Sequence, residues 1–211
     1  MACPWSYDDH TQTVFIDYEF NDPLTELPPD TKEIIFVQPV GSISKFNKPI
    51  YKKDLPPNVQ RIKFGVSFNQ PINQDSLPDS ITHLTFGWYF NQPVRKDSFP
   101  SSITHLFFGH NFNQPLSKDN LPDSLISLAL NRLNSAQSLD NLPNSLMHLE
   151  IYSIFEQEIN KLPDSLITLE LPFGYAKPLN NLPYGLKILK IWHPYPIANI
   201  KIPFGCKIIK K

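Results

Sequence analysis

Apolar residues recur along the chain in a six-residue pattern whose first, fourth and sixth positions are hydrophobic. Ile81-Thr82-His83-Leu84-Thr85-Phe86 is the clearest copy. The same spacing returns at Ile103/Leu106/Phe108, Leu125/Leu128/Leu130, Leu146/Leu149/Ile151, Leu166/Leu169/Leu171 and Leu186/Leu189/Ile191. Positions four and six are two apart, the period of a β-strand that buries one face. The residues between them, such as His83 and Thr85, then point the other way. No stretch keeps a helical period, and a proline arrives about every ten residues to prevent one. The pattern predicts many short strands and little helix.

Two further markers set the strands in register. Leu-Pro or a close variant falls at Leu27-Pro28, Leu55-Pro56, Leu77-Pro78, Phe99-Pro100, Leu121-Pro122, Leu142-Pro143, Leu162-Pro163, Leu182-Pro183 and Ile202-Pro203, in steps of 28, 22, 22, 22, 21, 20, 20 and 20. After the strands, Phe64-Gly65-Val66-Ser67-Phe68-Asn69, Phe86-Gly87-Trp88-Tyr89-Phe90-Asn91 and Phe108-Gly109-His110-Asn111-Phe112-Asn113 align without gaps, each followed by Gln-Pro. A repeat of 20 to 22 residues is the signature of a solenoid.

One such unit cannot bury its own apolar face. Stacked, the strands form a parallel sheet with neighbours about 4.8 Å apart, and turns and irregular segments make the other side. Identical residues then line up in columns. Phe64, Phe86 and Phe108 form one aromatic ladder of the core, and Phe68, Phe90 and Phe112 a second. Gly87 and its equivalents are expected to permit a sharp turn after the strand. The column Asn69, Asn91 and Asn113 is expected to cap backbone groups in that turn, and Ser80, Ser102, Ser124, Ser145 and Ser165 to do so at the other corner.

The pattern Leu-x-x-Leu-x-Phe-Gly-x-x-Phe-Asn-Gln-Pro-[Ile/Leu], followed by Leu-Pro-x-Ser, resembles the FNIP (FGxxFN) repeat family. These are leucine-rich-repeat-like proteins expanded in social amoebae and giant DNA viruses. The resemblance covers residues 20 to 209 and is most specific in the three central copies. Leu130-Asn131-Arg132-Leu133-Asn134, Ile151-Tyr152-Ser153-Ile154-Phe155 and Leu171-Pro172-Phe173-Gly174-Tyr175 keep the strand but lose the Phe-Gly or the Asn, so the ladders should thin toward the C terminus. The resemblance implies a leucine-rich-repeat-like solenoid with a protein-interaction role and no catalytic residues. Some relatives look like adaptors with an N-terminal F-box; about 19 residues precede the first repeat here, too few for that helical domain.

The expected organisation is an N-terminal cap over residues 1–19 with a capping strand at 11–20, repeats over 20–191, and a partial last repeat with a C-terminal cap over 192–211. The step of 28 implies six inserted residues within 37–45. Lys207, Lys210 and Lys211 interrupt the last strand, and lysine on an exposed edge discourages end-to-end pairing. Cys3 and Cys206 belong to opposite caps of an open solenoid, which places them beyond the reach of a disulfide.

Composition narrows the function. The net charge of −1 gives no global field to draw the chain onto nucleic acid or an anionic membrane. The 22 prolines would suggest disorder in a polar chain, but hydrophobic residues are 41% and phenylalanines number 15, so they read as built-in turns. No apolar run is long enough for a membrane span, no secretory leader is visible, and no Asn-x-Ser/Thr acceptor occurs. An intracellular protein with free thiols is expected, in the cytoplasm, or the host cytoplasm if the source is viral.

The outward strand positions make two columns. The first is Glu33, Arg61, His83, His105, Ser127, His148, Thr168 and Ile188; the second is Ile35, Lys63, Thr85, Phe107, Ala129, Glu150, Glu170 and Lys190. They vary while the core positions stay constant, as a specific binding face on a fixed scaffold requires. Trp, Tyr and Arg are common at binding hot spots. The candidate patch is therefore Arg61, His83, His105 and Phe107 with the loop residues Trp88 and His110. His83 and His105 lack the further ligands zinc needs, since Ser127 is next in their column and His148 lies two coils away. No phosphate loop, His-Glu-x-x-His or Cys-x-x-Cys occurs, so neither a metal, a cofactor nor an enzyme activity is expected. The sequence favours a non-enzymatic module that binds a protein partner through the sheet face, with a self-assembling homo-oligomer as the alternative.

Overall fold

The computed structural model describes residues 4–131, 138–153, 155–192 and 200–211. Among them the strands are β1 (Trp5–Asp8), β2 (Thr13–Ile16), β3 (Glu33–Phe36), β4 (Arg61–Lys63), β5 (His83–Thr85), β6 (His105–Phe108), β7 (Ser127–Leu130), β8 (His148–Ile151), β9 (Thr168–Glu170), β10 (Ile188–Ile191) and β11 (Lys207–Lys210). They form a single sheet in chain order, parallel throughout except for β1, which pairs antiparallel with β2. The only helical piece described is the short 3₁₀ turn Lys52–Asp54. This is a leucine-rich-repeat-like β-solenoid.

The register is the one the sequence columns require. Arg61 pairs with His83, His83 with His105, and Lys63 with Thr85. The inward columns supply the core. Val14, Ile34, Ile62, Leu84, Leu106, Leu128, Leu149, Leu169 and Leu189 are all buried at the strand centres. Beside them Phe36, Phe64, Phe86 and Phe108 stack at centroid separations of 5.6, 5.7 and 5.3 Å. A second ladder runs Phe20, Phe46, Phe68, Phe90 and Phe112, nearly parallel at 6.0 to 6.2 Å. Within a coil the two ladders touch, with Phe86 only 3.8 Å from Phe90. Burying one such ring contributes about 1.5–3 kcal/mol, with roughly 0.5–1.5 kcal/mol more for each ring pair. After Phe108 its column becomes Leu130, Ile151 and Leu171, and a short aromatic stack resumes at Phe155 and Tyr175.

The inserted residues leave between Phe36 and Phe46, in a loop with Gly41 at φ 80 and Val40 fully exposed. At the N terminus the expected capping strand over 11–20 is shorter. Gln12, at φ 53, turns the chain just before β2. Just after it, the Asp17 carboxylate accepts the Glu19 amide and the Asp17 carbonyl accepts the Phe20 amide. β2 therefore joins the parallel sheet, and β1 folds over its outer edge. At the other end Cys206 is a free, half-buried thiol whose pKa burial pushes up. Cys3 lies outside the described residues, and the expectation about its distance from Cys206 lies there with it.

Two polar ladders join the coils, and here the structure corrects the local reading of the repeat. The side-chain oxygens of Asn21, Asn47, Asn69 and Asn91 serve the next coil. Asn21 Oδ1 accepts the Asn47 amide, Asn47 that of Asn69, Asn69 that of Asn91 and Asn91 that of Asn113, at 2.8 to 2.9 Å. Gln92 and Gln114 add side-chain amide bonds to Asn69 and Asn91. At the opposite corner the hydroxyls of Ser80, Ser102, Ser124, Ser145 and Ser165 donate to carbonyls of the preceding coil at 2.6 to 2.7 Å.

The glycines are corrected too. Positive φ occurs at Gly41, Gly174 and Gly205, but not at Gly65, Gly87 or Gly109. A Cβ on Gly87 would lie 2.0 Å from the Gly65 carbonyl oxygen, and one on Gly109 as close to that of Gly87. Gly87 and Gly109 are glycine because successive coils press backbone on backbone, and at Gly65 the Ser44 side chain fills the space, so none of the three is there for a left-handed turn.

Candidate functional site

Short strands hold the outward columns on one side of the sheet, so neighbouring coils bring their side chains together. His83 on β5 and His105 on β6 are paired in register and their rings stack at 4.1 Å, within 7° of parallel. Each is oriented by the threonine before it. The Thr82 hydroxyl lies 3.2 Å from the Gln60 carbonyl and 2.8 Å from His83 Nδ1, within hydrogen-bond reach of both. Thr104 repeats this, 3.2 Å from the Thr82 carbonyl and 2.9 Å from His105 Nδ1.

Burial lowers the pKa of both imidazoles. The neighbouring charge of His105 and then Arg61 adds to this at His83, and that of His148 and then Arg61 at His105. Arg61 is exposed beside His83 in the column.

In the adjoining loops Trp88 stacks on His110 at 4.2 Å, with 48% of Trp88 and 45% of Tyr89 exposed to solvent. Phe107, next to His105 on the strand, faces Tyr152 at 6.3 Å. Only the methyl of Ala129 stands on the strand between them. Tyr152 was not legible as part of the patch, because it lies beyond the end of β8. Four of the six predicted residues therefore form two stacked pairs, with Arg61 paired in register to His83 and Phe107 two residues beyond His105 on β6.

The face changes character toward β9, where the expectation of uniform exposure fails. Ala129, Thr168 and Glu170 are buried. Glu170 lies 3.1 Å from Lys190 and also pairs with Lys211, while Glu150 sits 3.8 Å from Lys190 and accepts from the Tyr152 hydroxyl. Burial, followed by the Glu150 carboxylate, pushes the Tyr152 phenol above its ordinary range. A carboxylate is tolerated here because two ammonium groups satisfy it. Among the described residues no group of three or more His, Cys, Asp or Glu is placed to hold a metal ion. No described helix is long and apolar enough to cross a membrane.

Comparison with known proteins agrees with this architecture. The FNIP Repeat family matches residues 46–89 and 90–132, the two stretches that carry the most regular aromatic and asparagine ladders. Among solved structures, the giant-virus protein CroV588, described as a novel circular LRR protein, is similar with a TM-score of 0.71 and 29% identity. The likeness covers 94% of this chain and 33% of CroV588, so the chain spans about a third of that protein's length. No curated protein matches the chain. The chain is a leucine-rich-repeat-like solenoid, similar to the FNIP Repeat family over residues 46–132, and this is a fold typical of protein-interaction scaffolds.

Proposed function

We propose that the chain is a non-enzymatic recognition module that binds a protein partner on the sheet face and the loops that border it. The observation that carries this reading is the cluster of stacked, solvent-facing rings on rigid strands and tight loops: His83 on His105, Trp88 on His110, and Phe107 beside Tyr152. Half-exposed aromatic groups already fixed by stacking lose little freedom on binding. Arg61 and the ring nitrogens of the histidines add polar contacts at the rim. The face offers no dense positive charge of the kind a nucleic-acid backbone needs, since Arg61 and Lys63 are followed by neutral groups and then by Glu150 and Glu170.

Affinity capture with the intact chain, compared against the Trp88→Ser/Phe107→Ser double variant, tests the reading. A partner recovered by the wild type and lost from the variant supports it. A partner retained equally by both, with the variant still folded by circular dichroism, rejects this face as the binding site.

A further inference from the structure

The two ends of the solenoid carry opposite charge. Residues 1–31 contain seven Asp or Glu and no Lys or Arg, whereas residues 171–211 contain seven Lys and no Asp or Glu. The near-zero net charge of the chain therefore conceals a molecule that is acidic at the β1 end and basic at the β11 end. Each end presents a strand paired on one side only.

The free backbone groups of these edges follow from the bonds they already make. The Pro4 carbonyl accepts the Asp17 amide, so in the antiparallel β1–β2 pair the amides and carbonyls of Ser6 and Asp8 face β2. Those of Trp5 and Tyr7 face outward. On β11 the amides of Lys207 and Lys211 bind carbonyls of Lys187 and Ile191, which leaves Ile208 and Lys210 with outward-facing groups. Trp5, Tyr7 and Ile208 all pack their side chains against the core.

We infer that the occupant of the β11 edge is the β1 edge of a second copy of this chain, giving head-to-tail self-association. Because β1 runs against the other strands, the joint is antiparallel. Only one full-length register meets both the hydrogen bonds and the side-chain alternation. Tyr7 then faces Ile208, and Trp5 faces Lys210, as hydrogen-bonded pairs on the core side. Asp8 faces Lys207 on the outer side, in the closer, non-hydrogen-bonded position where an ion pair fits best. The same lysines oppose the alternative. Two β11 edges meeting antiparallel about a two-fold axis, with Ile208 opposite Lys210, set Lys207 against Lys211, like charge on like charge, so the lysines that oppose tail-to-tail pairing favour head-to-tail pairing. A heterologous contact of this kind propagates into a ring or a filament.

This inference is independent of the sheet face. It is tested by light scattering of the intact chain at about 50 mM and 500 mM salt, where the Debye length falls severalfold. The expected result is a mass that rises above 24.3 kDa with concentration at low salt and returns toward the monomer at high salt. The Lys207→Glu/Lys210→Glu variant should associate at least about tenfold more weakly, since Lys207→Glu sets a carboxylate against Asp8 and the two reversals together make the β11 edge acidic like the β1 end it meets. Zero-length carboxyl-to-amine crosslinking of the wild type should join Asp8 or Asp9 to Lys207 or Lys210 of another copy, and this needs no variant to fold. A wild type that stays monomeric at low salt, association that survives in the variant, or crosslinked oligomers without that junction each overturn the proposal.

Discussion

Replacing Gly87 by alanine separates coil stacking from glycine's conformational freedom. Gly87 has no positive φ, so on backbone grounds alone alanine should stabilise by about 0.4–1 kcal/mol through the unfolded state. The stacking predicts the opposite sign. The added Cβ would meet the Gly65 carbonyl oxygen at 2.0 Å and the Val66 Cα at 2.9 Å. A carbon and an oxygen sit at roughly 3.3 Å or more even in close contacts, so the coils must part by about 1 Å. That movement breaks the Tyr89 amide bond to the Val66 carbonyl, now 3.0 Å, and the Asn91 amide bond to Asn69 Oδ1, now 2.9 Å. Overpacking costs about 1–3 kcal/mol and each lost bond about 1 kcal/mol, which gives about 3–5 kcal/mol in all. For a chain of this size the melting temperature then falls by about 10 °C. Gly174→Ala is the control: nothing lies within 4 Å of its Cβ, but φ is 78, so its cost is the backbone term alone, about 1–2 kcal/mol. Thermal and urea unfolding followed by circular dichroism measure both. A Gly87→Ala variant as stable as wild type, or more stable, would refute the backbone-on-backbone account.

Further outcomes follow from the polar ladders and the face. Asn91→Ala removes the acceptor of the Asn113 amide and of the Gln114 side chain, and should cost about 1–3 kcal/mol, whereas Asn91→Asp keeps an acceptor and should recover much of it. Hydrogen exchange at the Asn113 amide reports the loss directly, and unchanged protection in the alanine variant would contradict the inter-coil assignment. The histidine pair makes stability depend on pH. Both folded pKa values lie below the ordinary 6.5, so the unfolded chain binds protons first. Their contribution is complete above about pH 6.5 and is lost as the pH falls through the depressed folded values. His83→Gln/His105→Gln should flatten the acid limb of a plot of unfolding midpoint against pH, and an unaltered slope would argue against the histidines as its source.

The fold was legible because one local rule is written many times. A single Leu-x-x-Leu-x-Phe segment could be a strand or part of a buried helix; a proline-marked copy every 20 to 22 residues leaves only stacked coils, and stacking then places Arg61, His83 and His105 side by side. What failed was the assignment of partners across coils. A column shows that Asn91 recurs, but not that its oxygen reaches forward to Asn113 instead of back into its own turn. Likewise Glu170 has the same local spacing as the partly exposed Glu150. It is buried because Lys190, one coil on, and Lys211, 41 residues on, close over it. The first of these contacts is readable from the column; the second depends on where the chain is at its far end. Tyr152 was missed for a related reason, since its contact with Phe107 crosses two coils.

The inter-coil ladders also govern how the molecule can change in length. Asn69 binds Asn91 as Asn91 binds Asn113, and Ser102 binds Ile81 as Ser124 binds Ile103, so the surfaces between central coils are interchangeable. Excising residues 83–104 would bring His105 beside Arg61, set the Asn113 amide on Asn69 Oδ1, and place Phe108 over Phe64, with every junction of a kind already present. Whole coils can therefore be added or removed by recombination between copies without inventing a new contact. Each such event shifts the outward columns by one row, which alters the displayed surface while leaving the core untouched.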